Sequence, residues 1–529
     1  MHIARIGGGS TETPSADIIG AKAANLARMA ALGLPVPPAF VLPVDLCAAI
    51  VRGEDNALHK LKDGLREGLA FLEQATGKVF GDRRQPLLVS VRSGAARSMP
   101  GMLDTVLNVG CTAEAVRGLI RTSGNPRFAW DCRRRFLESF ADVVLGADGA
   151  PFAHARETIA RTEGVASEAD LDGEALERLA GLYEQLIDAA DLDLPGDPEA
   201  QVEAAARAVY RSWTSERATT YRRLQNLEDL QGTAVTVQAM VYGNRGLSSG
   251  AGVAFSRDPS SGRTEPVIDV LFGAQGEDVV SGSRTPDTEA AILRAAPQAA
   301  HDLRTRLVQL EQAFRDIQDV EFTIDEGVLW ILQTRAAKRT PRAALRFAID
   351  LVAEGLISPA DGLARLGEVD LAGLVTKRLV NVGAPVAQGI SASAGVAVGR
   401  IAFDSESAVR LAATGTPVVL VRPDTSTSDV AGFAAAEGIV TAVGGRTAHA
   451  ALVARQLGKP CIVGCGALRI DPAAQTALIG TTLLRQGDWL TLDADAGALF
   501  LGQGRVEQER PEADLSEIAR WRAQAQPAA

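Results

Sequence analysis

The run Val443-Gly444-Gly445-Arg446-Thr447-Ala448-His449-Ala450-Ala451-Leu452-Val453-Ala454-Arg455 holds the residue best placed for group transfer. Two glycines break a segment of small and apolar residues. Thr447 is suited to cap a helix starting behind it, which puts His449 in the first turn. Leu452, Val453 and Leu457 then form the helix's apolar stripe. The unpaired N–H groups and positive dipole end of a helix favour an anion and disfavour imidazolium. A histidine there stays neutral and nucleophilic and can accept a phosphoryl group. On this stretch alone, a capping or surface histidine remains the alternative.

A second set is acidic. Asp319 to Arg335 reads as two strands joined by the turn Asp325-Glu326-Gly327. Alternation puts Asp319, Glu321 and Thr323 on one face and Val320, Phe322 and Ile324 on the other. A three-residue turn pairs Ile324 with Val328, and hence Asp319 with Gln333. Asp319, Glu321, Gln333 and Arg335 then converge: hard oxygen ligands for Mg2+ beside a guanidinium for a transferring phosphoryl group. A one-residue slip would undo this and leave a solvated hairpin face.

Phosphate-binding chemistry is also suggested upstream. Lys22 stands beside Gly20 at the start of a helical pattern that Gly33 and Pro35 end. The apolar run Leu87 to Val91 leads into Arg92-Ser93-Gly94-Ala95-Ala96-Arg97-Ser98-Met99-Pro100-Gly101, where small residues bring backbone N–H groups and arginines near an anion. No Gly-Lys-Ser/Thr follows, so this is not a Walker A loop. Gln238 to Val241, including Met240, ends a strand pattern and offers backbone groups to a purine edge.

The elements that position these residues divide the chain. Its 529 residues suit roughly two to four domains. The segment from about 111 to 230 is mainly helical, with Arg133, Arg134 and Arg135 read as a solvated face. Strand character returns at Thr233 to Val241, Val253 to Phe255 and around Asp269. Ala343 to Leu371 reads as helices broken at Gly355 to Ser358. A compact unit of short Gly-, Ala- and Val-rich strands begins near Val382 and surrounds the His449 helix. The net charge of −11 argues against a nucleic-acid partner. No apolar run spans a bilayer and no signal-peptide core opens the chain, so cytoplasmic residence is the simplest expectation. The five scattered cysteines read as buried small hydrophobes.

In these stretches, and across nearly its whole length, the chain resembles the pyruvate, phosphate dikinases, with the phosphoenolpyruvate synthases as more distant relatives. The resemblance implies a mixed α/β and α+β multidomain chain: an ATP-grasp nucleotide-binding region over 1–340, a helical linker over 341–381, a swivelling phosphohistidine domain over 382–510 and a tail over 511–529. It implies that His449 carries the phosphoryl group, with Arg335 and Arg92 aiding transfer. Lys22, Arg92, Gln238, Met240, Asp269, Asp319, Glu321, Gln333 and Arg335 would meet the nucleotide, and Asp319, Glu321 and Gln333 the Mg2+. A monovalent cation is a further candidate cofactor, and Thr447 a candidate regulatory site. MgATP would give AMP and a pyrophosphoryl-histidine, phosphate would leave with the outer group as pyrophosphate, and the phosphohistidine would swing to pyruvate. Joints near Val375 to Pro385 and after Gly502 would permit that motion.

The sequence departs from the family pattern in places. Asp269 stands where a glutamate is expected, and Arg446 and Ala448 replace the commoner methionine and serine. The sequence stops at Ala529, before the pyruvate-binding barrel of the family. The expectation is therefore a nucleotide half-enzyme served by a separate barrel protein, with a homo-oligomer admissible. The competing readings are transfer to a different small molecule or protein, and a non-catalytic nucleotide-binding regulator.

Overall fold

The computed structural model describes residues 2–97, 99, 102–281, 284–367, 369–380, 383–424, 429–446 and 448–525. Thr447, the loop positions Ser98, Pro100 and Gly101, and the expected domain start at Val382 lie outside the described residues. The chain forms two compact units, Met1–Ser249 with Thr323–Thr334, and Gly250–Phe322 with Arg335–Ala529. The division runs through the expected nucleotide-binding region. Among the described residues no helix is long and apolar enough to cross a membrane.

The first unit is built on an antiparallel sheet with strand order Ala4–Ile6, Ala39–Leu42, Thr233–Ala239, Val89–Ala95, Thr105–Val109. The inner strands are rich in Val, Ala and Thr and are buried along almost their whole length, so neither face is left to water. Helix Asp55–Thr76 covers one side, burying Leu61, Leu65, Leu69 and Leu72 at helical spacing. The stretch read as helical holds Ala113–Ser123, Pro126–Phe140, Gly149–Glu163, Gly173–Ala189, Pro198–Ser212 and Glu216–Leu224. Asn125 starts the second of these by accepting the Phe128 N–H, with Pro126 in its first turn.

The arginines of that helix are not solvated, contrary to expectation. Arg133 and Arg134 are only 7% and 3% exposed. The helix is enclosed by its neighbours, so its charges must pair locally. Arg134 donates twice to Asp131, at 2.6 and 3.2 Å, Arg135 once at 3.0 Å, and Asn244 Nδ2 adds a fourth bond at 2.6 Å. Burial would raise the Asp131 carboxyl, but the Arg135 and Arg134 guanidiniums and their hydrogen bonds hold it well below the usual carboxylate range.

A second sheet orders its strands Asp287–Thr288, Val267–Phe272, Gly250–Phe255, Gln318–Asp325 and Val328–Ala336. Thr340 and Ser358 cap the linker helices Pro341–Ala353 and Pro359–Arg365. The expected tail is a helix, Glu512–Ala525, whose Ile518 and Trp521 pack with Leu345, Ala348 and Leu366 of the linker. The two expected joints are paired with each other: Thr376–Val380 and Arg505–Glu509 form an antiparallel ribbon, from Thr376↔Glu509 to Val380↔Arg505.

Between those ribbon strands lies an eight-stranded sheet. Its centre is parallel, Val396–Ala402, Val418–Arg422, Gly438–Thr441 and Cys461–Val463, and its outer pairings are antiparallel. One core holds Phe403, Val421, Leu490 and Leu492, the other Phe433, Ala436, Ala451 and Ala454. All five cysteines are free and buried.

Asp131→Asn is expected to cost about 3–5 kcal/mol, because it strips the charge that two buried guanidiniums share. Urea unfolding at unchanged slope checks it. The depressed folded-state pKa makes the Asp131 contribution fully present above the unfolded value of ~3.9. It is lost as pH falls through the lower folded value, so variant and wild type should converge in stability only in strong acid.

Candidate functional site

Helix His449–Leu457 is the crossover between the parallel strands Gly438–Thr441 and Cys461–Val463. A crossover of this kind sets the start of its helix beyond the carboxyl ends of the strands, where open α/β sheets place their sites. The helix starts at His449, with Ala448 as the N-cap residue and no side-chain cap bond. Its buried face is Ala450, Ala451, Ala454 and Arg455, while Leu457 is 42% exposed. The expected stripe of Leu452, Val453 and Leu457 is therefore rotated. Alanines let the helix lie close on strands Ile390–Ser393 and Cys461–Val463, where leucines would hold it off.

Three contacts fix the segment just before the histidine. Asp269, 2% exposed on strand Val267–Phe272, accepts the Arg446 backbone N–H at 2.7 Å on one oxygen and Arg446 Nη1 at 2.8 Å on the other. Arg446 Nε donates to Ser391 O at 3.2 Å. Arg455 Nη2 donates to Arg446 O at 2.7 Å. Gly445 is needed for this approach: a Cβ there would stand 2.4 Å from Pro286 Cγ and 3.0 Å from Asp269 Oδ2. Arg455 is 1% exposed and stacks over Phe255 at 5.0 Å. Burial lowers its pKa to about 10 against the opposing charge of Asp319, Cys461 and Asp269, so it stays protonated near neutral pH. The sequence reading missed Arg455, although an arginine four residues after Ala451, on the alanine face, marked it.

The acidic hairpin differs from expectation at its turn. The strands end at Asp325 and resume at Val328, leaving Glu326 and Gly327, both at positive φ (50° and 83°). A two-residue turn of this kind matches the twist of paired strands better than the three-residue turn read from the sequence. At the open end, the Ala337 N–H donates to Ile317 O at 2.9 Å and Arg335 Nε to Asp319 Oδ2 at 2.8 Å. Asp319 thus faces Arg335, where Gln333 was expected. Asp319 is 2% exposed and its Oδ1 has no hydrogen-bond partner. Burial raises the Asp319 carboxyl above the usual range, opposed by Arg335.

That orphaned oxygen is the fit test for a metal. A buried acceptor without a partner is costly unless something fills it. Glu321 lies two residues along the same strand, on the same face. Among the described residues no group of three or more His, Cys, Asp or Glu could hold a metal ion. Two carboxylates with phosphate oxygens are what Mg2+ usually takes, so Asp319 and Glu321 fit it.

The remaining expected residues belong to the first unit. Helix Ala16–Ala31 is kinked at Gly20 (φ 80°), where a Cβ would stand 2.1 Å from Gly94 O. This contact seats the helix on strand Val89–Ala95. Lys22 lies two residues past the crossing on the helix, and Arg92 two residues before it on the strand. Asn25 Nδ2 donates to Thr334 O at 3.2 Å, tying the same helix to the strand that holds Gln333. Gln238 lies on strand Thr233–Ala239. Its strand is paired on both sides and its side-chain amide bonds Pro37 O at 3.0 Å, so it holds structure together. The Met240 N–H donates to Leu88 O at 3.0 Å. The expected set thus falls into two groups: Lys22, Arg92, Gln238, Met240 and Gln333 in the first unit, and Asp269, Asp319, Glu321, Arg335 and His449 in the second.

Comparison with known proteins follows the same lines. Residues 57–295 and 293–354, more than half of the chain, match the family model "Pyruvate phosphate dikinase, AMP/ATP-binding domain". Residues 414–497 match "PEP-utilising enzyme, mobile domain". The chain is 41% identical over 525 residues to a pyruvate, phosphate dikinase of Rhizobium meliloti, covering 96% of this chain and 58% of the relative. It is 39% identical to that of Clostridium symbiosum, covering 96% and 58%, and 40% identical to the chloroplastic enzyme 1 of Arabidopsis thaliana, covering 95% and 53%. It spans a little over half the length of these curated relatives.

Arg335→Ala should destabilise the chain by about 1–3 kcal/mol, because it leaves both oxygens of buried Asp319 unpaired. Adding Asp319→Asn should restore most of that stability without restoring nucleotide chemistry. Thermal unfolding and ATP turnover of the single and double variants check this, and joint recovery would make the pair purely structural.

Proposed function

The chain belongs to the pyruvate, phosphate dikinase family, and on that premise we propose that it transfers phosphoryl groups from MgATP to His449. The observation that carries this reading is the placement of His449 as the first residue of a helix whose approach is anchored on Asp269, in the unit that also holds Asp319, Glu321 and Arg335. A neutral imidazole at a helix start has its lone pair available and the helix dipole behind the arriving anion.

The proposed half-reaction conserves every group. The imidazole nitrogen attacks the β-phosphorus of ATP, the bond to the AMP oxygen breaks, and AMP leaves. The histidine then holds a pyrophosphoryl group. Inorganic phosphate attacks the outer phosphorus and departs as pyrophosphate, leaving one phosphoryl group on His449. Phosphoryl transfer asks mainly for positioning and neutralisation of charge. Asp319 and Glu321 would hold Mg2+, which draws charge from the phosphate oxygens. Arg335 orients Asp319 and opposes the upward shift that burial imposes on its carboxyl. The resemblance adds Lys22 and Arg92 as carriers of positive charge for phosphate oxygens and Gln333 as a neutral oxygen ligand or amide donor.

The second half-reaction, transfer to pyruvate, is assigned to a site outside residues 1–529, reached from a further barrel domain or a separate barrel protein. The ribbon Thr376–Val380 with Arg505–Glu509 is a sound hinge for that journey, since both connections would move together. Lys22, Arg92, Asp319, Glu321 and Arg335 are all present, which disfavours a non-catalytic regulator.

His449→Ala should abolish uptake of label from [β-32P]ATP while ATP affinity stays within about 2-fold, since the residue meets only the transferred group. Label retained by the variant assigns the carrier elsewhere. Phosphorylated wild type should give phosphoenolpyruvate from pyruvate only when a family barrel is supplied. Transfer to pyruvate without it would place the acceptor site within this chain.

A further inference from the structure

Asp269 and Arg446 lie 177 residues apart and meet in one ion pair. Both oxygens of Asp269 are taken by Arg446, one by its backbone N–H and one by its guanidinium. The carboxylate is 2% exposed and the arginine side chain 24%. A carboxylate this far from water needs its counter-charge. When Arg446 is withdrawn, Asp269 must find water or another cation, so the ion pair favours the arrangement in which Gly445 and Arg446 rest on strand Val267–Phe272. The fit is also steric, because Gly445 has no room for a Cβ between Pro286 and Asp269. The second guanidinium contact, Nε to Ser391 O, fixes the same segment from the other side.

We propose that Arg446 is a positioning residue: its ion pair with Asp269 latches the segment ahead of His449 in the phosphate-accepting position and must open before the histidine leaves it. The catalytic assignment of His449 comes from the function proposed above, and the latch rests on that reading.

The test is a double-mutant cycle on the full chain with Arg446→Met and Asp269→Asn. Arg446→Met should slow phosphoenzyme formation about 10- to 100-fold with ATP affinity within about 2-fold, as expected for a misplaced reacting group. Arg446→Lys, which keeps the charge, should recover part of the rate. With Asp269 already changed to Asn, adding Arg446→Met should cost little more; losses that multiply in the double variant would overturn the latch. Hydrogen exchange supplies a readout independent of activity. Amides of residues 449–458 should exchange faster in each single variant than in wild type, with no further rise in the double, and unchanged exchange in Arg446→Met would overturn the proposal. Wild-type protein that takes no label while the exchange pattern holds would sink the phosphotransfer reading and leave the latch standing.

Discussion

A carboxylate removed from water must be matched by positive charge, and the second unit depends on two such carboxylates in a single sheet. Asp269 and Asp319 are each 2% exposed, on strands separated by Gly250–Phe255. Asp269 is neutralised by Arg446, from the segment before His449, and Asp319 by Arg335, from the open end of the hairpin. Arg455, buried on the His449 helix, adds a charge felt by both. Each partner that satisfies a carboxylate also fixes a piece of the site. Electrostatic need is what holds a glycine-rich segment in one place, since it has few apolar side chains to do so.

On the proposed function, the same economy would let a carrier be both held and released. Apolar burial of the His449 helix is confined to its own domain, through Ala450, Ala451 and Ala454. What ties its leading segment to the strand of Asp269 is polar and local. Polar contacts can exchange for water or ligand at small net cost. Packed cores exchange only with large penalties. Below this, the paired strands Thr376–Val380 and Arg505–Glu509 and the helix Glu512–Ala525 make the entry and exit of the domain one structural piece. In the proposed reading, a segment inserted between paired strands would move as a body, which suits a group that must arrive in one orientation.

Much of the local structure was legible in the sequence. The helix starting at His449, the strands around Val91, Val237 and Asp269, the broken linker helices and the burial of the cysteines follow from periodicity and from Gly and Pro punctuation. What could not be read is where side chains lose water. Arg133 and Arg134 carry the local signature of a solvated face, but the helices around them turn that face inward. The hairpin turn was misjudged by one residue because Glu326 takes a positive φ, which its residue type does not announce. The meeting of Asp269 with Arg446 was invisible for a different reason: each residue was noted separately, and only the fold joins positions 177 apart. The part of the site that was readable owes its clarity to resemblance over long stretches more than to any short motif.

The central claim is that His449 becomes phosphorylated. Mass-spectrometric mapping of the intact chain after incubation with MgATP and inorganic phosphate tests it most directly. The account predicts a single phosphoryl group on the peptide that contains His449, stable in alkali and lost in acid. An unmodified His449 peptide beside consumed ATP, or a phosphoryl group on another residue, would contradict it.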